Sequence, residues 1–382
     1  QYNNTQEKMD TELQQEIRSS LDKLISKYLE KNVFSACSIG VVDENNGKFT
    51  KAVFNYGNSG GVVMAPVDDN TVFDLASLTK PLVITLCIIA LVEKGKLQLN
   101  SRVCEYIQLR GEDANAIQIQ HLLEHTSGLP AHKEYFRQLI TLPERERQKK
   151  LMTLISQEKL LTMPGEKELY SDLGYILLGQ IVEKVSGRDI NNFWIDTIIN
   201  PLDLEKLLFF AGKQKISGMV YTATGSCEWT NKELSGLVND DNCRSIGGVS
   251  GHAGLFGTST GLISLMEILF KIYRKSYAHP SFSFDLIKKR MESDHGRWVL
   301  GFDTPTGPVS SSGKHFSEKS LGHLGFTGTS FWMDFKRNCG VVLLTNRVLC
   351  AGDLTGIQEF RPAVHDLIME RLTGNIILYL VC

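Results

Sequence analysis

The sequence is poor in the features that mark several broad classes of protein. It has no block of one charge: 41 Lys and Arg stand against 43 Asp and Glu, a formal net charge of −2. Nucleic acid and an anionic membrane surface are therefore not expected as partners. The longest apolar run, Pro81 to Val92, is shorter than the ~20 residues that a transmembrane helix needs. Ile376 to Cys382 is shorter still, so no transmembrane segment is expected. No signal peptide is visible, and a chain that begins at Gln1 says nothing about export. None of the eight cysteines has Cys-x-x-Cys spacing, which excludes a thiolate zinc site and a dense disulfide framework. Cys37 and Cys87 lie in apolar runs and read as small buried hydrophobes. Mostly free thiols are expected, a mild hint of a reducing compartment.

Common catalytic signatures are missing too. There is no His-Glu-x-x-His, and His121, Glu124 and His125 lack further ligands at metal spacing, so no metal is expected and these residues read as structural. Gly307…Gly313-Lys314-His315 has one residue too many for a phosphate loop and no Ser or Thr after the lysine. Gly248-Val249-Ser250-Gly251-His252 lacks the final glycine of a nucleophile elbow. No cofactor is implied.

What is present is a chain of 382 residues, 42% hydrophobic and 22% charged, which fits a soluble globular protein of one large or two intertwined domains. Met9, Leu13, Ile17, Leu21, Leu24, Ile25 and Tyr28 recur at helical spacing. Ser35 to Val42 and Lys51 to Tyr56 flank Glu44-Asn45-Asn46-Gly47 and predict a β-hairpin. Leu82 to Val92 is apolar on every side, the pattern of a fully buried helix. Helical patterns and loops fill the chain from about Leu97 to Asn242, including a charged amphipathic helix over Leu142 to Leu161 and another over Leu173 to Val185. A helix over Thr258 to Tyr273 precedes two strands, Leu321 to Phe335 and Gly340 to Thr345, and a last helix over about Gly356 to Leu372. Strands at both ends and helices between them predict one sheet from the terminal parts with a helical region inserted.

Four Ser-x-x-Lys matches occur: Ser20…Lys23, Ser77…Lys80, Ser156…Lys159 and Ser311…Lys314. Only Ser77 and Lys80 stand where a buried helix begins, and residues three apart share a helix face. Serine needs a base to become a nucleophile. Lysine serves if burial lowers its pKa, or it stays cationic and tunes another base. Tyrosine, ordinarily near pKa 10, is such a base beside an ammonium. Tyr170-Ser171-Asp172 follows a Pro-Gly turn and heads an apolar helix, unlike Tyr2-Asn3-Asn4 or Tyr56-Gly57-Asn58. His323-Leu324-Gly325 leads into a strand, as an edge offering a backbone N–H to an oxyanion would. His252-Ala253-Gly254 is less suitable, because a helix follows it.

Ser77-Leu-Thr-Lys80, Tyr170-Ser-Asp172 and His323-Leu-Gly325, in this order, resemble the motifs of the serine β-lactamase and penicillin-binding protein superfamily, above all its class C β-lactamase-related branch. Leu122 to Pro130, Gly248 to Phe256 and Gly322 to Ser330 are similar to supporting segments of that family, so the resemblance covers about residues 10 to 372. It implies an α+β fold of the β-lactamase/transpeptidase type: an antiparallel sheet flanked by helices, formed by 1–96 and 246–382, with a helical insert over 97–245 and the active site at their junction. It implies Ser77 as the acylated nucleophile, Lys80 and Tyr170 sharing the proton work, the N–H groups of Ser77 and Phe326 as oxyanion hole, and Asp172, His323, Gly325 and Thr327 as substrate-binding residues.

Two departures from the family pattern matter. β-Lactamases of the family usually carry Asn where this chain has Asp172. An ionised Asp accepts hydrogen bonds but donates none, and it would hold Lys80 cationic, which favours Tyr170 over Lys80 as base. Efficient β-lactamases commonly have Lys-Thr-Gly in place of His323-Leu-Gly. A fixed cation is replaced by a residue expected to titrate near neutrality. Both departures look more like the family's D-alanyl peptidases, esterases and weakly penicillin-reactive proteins. The implied function is a serine acyl hydrolase of the DD-carboxypeptidase type on a small or peptidoglycan-derived D-amino-acid peptide. A class C-type β-lactamase or carboxylesterase is the alternative, and a silent scaffold of the same fold is a third. Members of the family are often exported, so a periplasmic location is expected, with a cytoplasmic one as the alternative.

Overall fold

The computed structural model describes residues 8–294, 296–307, 310–350 and 354–379, with side chains described to residue 374. Tyr2-Asn3-Asn4 and the side chains of the Ile376–Cys382 run lie outside the described residues. The strands are β1 (Ala36–Asn45), β2 (Lys48–Gly57), β3 (Phe73–Asp74), β4 (Leu208–Phe210), β5 (Ala223–Ser226), β6 (Glu233–Ser235), β7 (Leu255–Gly257), β8 (Trp298–Val299), β9 (Phe302–Asp303), β10 (Ser320–Leu324), β11 (Ser330–Asp334) and β12 (Cys339–Thr345). Seven of them form one antiparallel sheet in the order β2-β1-β12-β11-β10-β9-β8. Its central pairing, β1 with β12, joins the two ends of the chain, with Cys37 opposite Thr345 and Asp43 opposite Cys339.

Successive strand side chains point to opposite faces, and both faces of this sheet are apolar. Ile39, Val41, Val341 and Leu343 pack with Ile17, Leu21 and Ile25 of the helix Thr11–Glu30 and with Phe360 and Val364 of the helix Leu354–Tyr379. Val42, Val342 and Leu344 belong to the other core, with Leu262, Ile263 and Met266 of the helix Ser259–Tyr273. Gly40 and Gly340 let that helix approach: a Cβ on either would run into Ile263 or Met266.

The region between the two sheet-forming parts is mainly helical, including Glu144–Ser156 and Asp172–Ser186, and it also carries β4, β5 and β6. β7 pairs with both β3 and β4, so a small sheet ties this region to the segment just before Ser77. The expected buried helix starts earlier than the apolar run. It opens with a 3-10 turn over Ala76–Leu78, widens to a π-type turn over Lys80–Thr85, and becomes α-helical over Leu86–Glu93. Pro81 lacks the N–H of a regular α-helical bond and sits inside the wide turn. Measured this way, Ala76–Glu93 is long and apolar enough to cross a membrane by length and composition, which revises the shorter run read from the sequence. Most of it is buried inside the fold, as a core helix is.

One strand expectation is corrected. Leu321 to Phe335 is not a single strand but a hairpin, β10 and β11, turned at Gly325–Gly328 by a Gly328 N–H to Gly325 carbonyl bond of 3.1 Å. Phe326, Thr327 and Thr329 are strand-forming residue types, and they masked the turn. Gly328, at φ +105°, takes a backbone conformation that other residues rarely adopt. The seven described cysteines are free.

Candidate active site

The site is assembled where three backbone segments meet. Asp74 fixes the first: its Oδ1 accepts the Ala76 N–H at 2.9 Å and its Oδ2 accepts the Asn239 N–H at 2.7 Å. Ala76 is held at φ 48°, a left-handed conformation that costs a non-glycine residue on the order of 1–3 kcal/mol. Thr79 Oγ1 donates to the Ala76 carbonyl and accepts from Leu255 N–H, so the strained turn is bonded from both sides. Ser77 follows and is half-buried, while Lys80 one turn later is completely buried.

The second segment is the start of the helix Asp172–Ser186. Ser171 is its N-cap, accepting the Gly174 N–H at 3.2 Å and donating to the Pro130 carbonyl at 2.7 Å. Buried His125 accepts the Ser171 N–H at 3.0 Å and lies 4.4 Å, centroid to centroid, from the Tyr170 ring. These contacts fix Tyr170 before the helix and Asp172 in its first turn.

The third is the end of β10. Gly325 is required there, because a Cβ would come 2.8 Å from the Leu75 carbonyl oxygen and run into Thr329. Beyond the single β9 pair at Gly322 and Asp303, the end of β10 is an open edge. The Phe326 N–H, second residue of the turn, has no acceptor among the described residues.

At the centre Lys80 Nζ donates to Ser77 Oγ at 2.9 Å, to Asp172 Oδ1 at 2.7 Å and to the His252 carbonyl at 3.2 Å. It also lies 4.8 Å from the centroid of the Tyr170 ring. Burial alone would push the lysine pKa down, but Asp172 and Tyr170 outweigh it and hold Lys80 above its ordinary value. Asp172 is the counterpart: burial raises its pKa, and the Lys80 ammonium with the His132 hydrogen bond brings it well below the carboxylate range. Burial raises the Tyr170 pKa more than Lys80 and Ser77 lower it, so the resting phenol lies above 10. The expectation of a Tyr170 pKa brought down by Lys80 is therefore corrected for the resting protein.

A second correction concerns His323. It is buried, its Nδ1–H donates to the Leu324 carbonyl at 2.7 Å, and its Nε2 has no partner among the described residues. Burial and the Lys80 charge lower its pKa to about 3, so it does not titrate near neutrality. Thr327 is fully buried with its hydroxyl on the Asp74 carbonyl at 2.8 Å, which makes it a brace of the Ser77 turn rather than a surface of the cleft. Gly325 and Phe326 line the cleft, and Phe326 is exposed.

Two cavities open on Ser77. One, of about 340 Å3, is lined by Arg297, Arg347, Arg361, His323, Gly325 and Phe326 among others. The other, of about 440 Å3, is lined by Asp74, Glu134, Asp172, Asp240, Asp241 and His132 among others. Ser77, Tyr170 and Phe326 belong to both. A larger cavity of about 660 Å3 beside His121, Glu124 and Arg290 does not include Ser77. There Glu124 is paired with Arg290 at 2.6 Å.

Several of these residues had no signal of their own in the sequence. His132, Asp240 and Arg297 come from separate loops, Arg347 from a 3-10 turn and Arg361 from the helix Leu354–Tyr379, and only the fold brings them together. Asp240 could have been found as the cap of a short helix, since it accepts the Cys243 N–H at 2.7 Å. His252, expected to be less suitable because a helix follows it, is followed first by the short strand β7 and supplies the carbonyl that holds Lys80. The nearest ligand atoms of His132, Asp172 and Asp240 lie within 4.8 Å of one another, a donor set that fits a divalent cation. His132 bonds Asp172 at 3.0 Å and His252 bonds Asp240 at 2.9 Å.

The model of the beta-lactamase family matches residues 21–355. An N-acetylmuramyl-L-alanine amidase of Bacillus subtilis (strain 168) is 30% identical over 315 residues, 74% of this chain and 69% of the amidase. A protein of Escherichia coli O157:H7 named as a D-alanyl-D-alanine carboxypeptidase is 26% identical over 371 residues, 86% of this chain and 82% of its own length. Among solved structures, the octameric penicillin-binding protein homologue from Pyrococcus abyssi superposes with a TM-score of 0.70 at 21% identity, over 94% of this chain and 77% of that one. A class C beta-lactamase gives a TM-score of 0.69 at 20% identity, over 93% and 98% of the two chains.

Proposed function

The chain belongs to the beta-lactamase family and is a serine hydrolase, and from that premise we propose that it cleaves an amide bond in a peptidoglycan-derived D-amino-acid peptide through an acyl-enzyme on Ser77. The observation that carries this reading is the 2.9 Å contact of Lys80 Nζ with Ser77 Oγ, with the ammonium anchored to Asp172 and the His252 carbonyl. Such a lysine supplies charge rather than a base. Tyr170 is then the group that handles protons.

In the first half-reaction Ser77 Oγ attacks the substrate carbonyl carbon as its proton passes to the Tyr170 phenolate. The N–H groups of Ser77 and Phe326 receive the oxyanion. Tyr170 returns the proton to the departing nitrogen as the carbon–nitrogen bond breaks, leaving an ester on Ser77. Water then attacks that ester, Tyr170 takes its proton, and Ser77 Oγ leaves with it. Since the resting phenol pKa is raised, the phenolate fraction grows with pH, and kcat/KM should climb toward alkaline pH.

The relatives named as carboxypeptidase and as amidase both support amide hydrolysis. Neutral His323 leaves the strand end without the lysine that efficient β-lactamases of the family carry, so β-lactam turnover is expected to be weak. A peptidoglycan-derived substrate would place the protein outside the cytoplasmic membrane. The test is turnover of four compounds by wild type and Ser77→Ala: a D-Ala-D-Ala peptide, an N-acetylmuramyl-L-alanyl peptide, a p-nitrophenyl ester and nitrocefin. The proposal expects one of the two amides to give the highest kcat/KM, abolished in Ser77→Ala. Faster turnover of nitrocefin or the ester than of either amide would replace it with a β-lactamase or carboxylesterase.

A further inference from the structure

Two peptide units meet at Ala76, and the geometry of the nucleophile depends on the angle between them. The first unit holds the Leu75 carbonyl and the Ala76 N–H. Thr329 Oγ1 donates to that carbonyl at 3.2 Å, and Asp74 Oδ1 accepts that N–H at 2.9 Å. The second unit holds the Ala76 carbonyl, which accepts from Thr79 Oγ1 at 2.6 Å, and the Ser77 N–H. Peptide units are planar, so the dihedral angles of Ala76 alone set how one is turned against the other. They therefore aim the Ser77 N–H, which the proposal above assigns to the oxyanion. The value of φ at Ala76 is 48°, a conformation that alanine does not keep unless its surroundings impose it.

The strongest imposed contact is that of Asp74. A carboxylate accepting an N–H makes a charge-assisted bond, stronger than one from a neutral hydroxyl. Asp74 is 2% exposed, and burial raises its pKa to about 6 against the opposing N–H bonds, so it is charged at pH 7 and above. It is also anchored outside the turn that it holds. Its Oδ2 accepts the Asn239 N–H at 2.7 Å, and its own carbonyl accepts from Thr327 Oγ1 at 2.8 Å. Thr327 and Thr329 follow Phe326, the source of the second oxyanion N–H. The Ala76 methyl also lies against the end of β10, since a Cβ on Gly325 would come 3.4 Å from it. The bonds of the threonines set the two segments side by side. The carboxylate sets the rotation of the turn.

We infer that Asp74 is a positioning residue for the oxyanion site: its carboxylate holds Ala76 in the left-handed conformation that aims the Ser77 N–H, with Asn239 as the fixed point. Without it the turn relaxes, and each acylation must first restore the strained conformation. This inference rests on the serine-hydrolase proposal above and goes beyond it.

The test is a double-mutant cycle at residues 74 and 76. The rate of Ser77 acylation by a fluorophosphonate is measured in wild type, Asp74→Ala, Ala76→Gly and the double variant. Glycine takes positive φ without steric cost, so it removes the strain that Asp74 offsets. Asp74→Ala should slow acylation about 10- to 100-fold while Ala76 is present, the factor that a left-handed alanine sets. In the Ala76→Gly background the same change should slow it by less than about 3-fold. Equal losses in the two backgrounds would overturn the inference, because a merely structural carboxylate is not bypassed by glycine. Asp74→Asn keeps one acceptor oxygen and takes the place of Asp74→Ala in the cycle should that variant not fold. Crystallography supplies a readout that needs no turnover. Ala76 should relax to negative φ in the residue 74 variant and turn the Ser77 N–H away from the cleft. Positive φ with Ser77 unmoved would overturn the inference, whatever the protein hydrolyses. A relaxed Ala76 in the variant, with no labelling of wild-type Ser77, would instead strike the hydrolase proposal alone.

Discussion

The acidic and the basic halves of the cleft are built from different materials. In the acidic half each charge near Ser77 has a partner within the protein: Asp172 holds Lys80 and His132, and Asp240 holds His252. In the basic half Arg347 and Arg361 lean on carbonyl oxygens, and His323 is neutral with a bare Nε2. The first arrangement holds Lys80 in its charged form. The second leaves cationic capacity open to a ligand. The contrast teaches that one serine can be flanked by a half that is internally balanced and a half that is not.

The harshest way to break this comparison is to remove the charge that both halves surround. Lys80→Ala should lower acylation of Ser77 by at least about 1000-fold, measured by single-turnover kinetics. It also leaves the half-buried Asp172 with His132 as its one side-chain partner among the described residues, so denaturant unfolding should show a loss on the order of 1–3 kcal/mol.

Next comes the residue that the halves share. Phe326 occupies the second position of the Gly325–Gly328 turn, where proline is well tolerated. Phe326→Pro should therefore fold and remove a single N–H. kcat should fall about 100- to 1000-fold with little change in melting temperature. An unchanged kcat would remove Phe326 from the oxyanion hole.

A smaller effect sharpens the acidic half. Asp172 raises the pKa of both Lys80 and Tyr170. Asp172→Asn should lower both, and the alkaline rise of kcat/KM should move to lower pH by about one unit. A profile that stays in place would mean that neither group controls the rate.

The mildest test compares two histidines facing the same nucleophile. His132 has its pKa raised by the hydrogen bond to Asp172, whereas burial lowers His323 to about 3. NMR titration should find His132 protonating above pH 6.5 and His323 still neutral at pH 4. Their linkage to stability has opposite sign. For His323 the unfolded chain binds the extra proton, so its contribution is lost as pH falls from about 6.5 toward 3. For His132 the folded state binds more protons, so its contribution is present below about pH 6.5 and is lost as pH rises through the folded pKa. Its half-exposed position keeps that effect small.

What was legible in the sequence follows this division. Ser77, Lys80, Tyr170 and Asp172 lie in compact motifs next to apolar helices, so spacing and context identify them, and all four meet at the site. The sheet pairing of the chain's two ends could be read from alternating residues at each end. The charges of the basic half could not, because Arg347 and Arg361 belong to the segments after β12 and have no local pattern. The state of His323 was misread for a related reason. Its residue type suggests titration near neutrality, but its burial depends on Trp298 and Tyr170, which arrive from elsewhere in the chain. Of the four Ser-x-x-Lys matches, Lys23, Lys159 and Lys314 are exposed, whereas Lys80 is completely buried, a distinction that only packing supplies.

The central claim is that Ser77 becomes acylated. Intact and peptide mass spectrometry of folded protein exposed to a fluorescent penicillin and to a fluorophosphonate tests it most directly. The account predicts a single covalent adduct on the peptide containing Ser77 with at least one reagent, absent in Ser77→Ala. Folded wild-type protein with no adduct at Ser77 from either reagent would contradict it and leave a catalytically silent scaffold of the same fold.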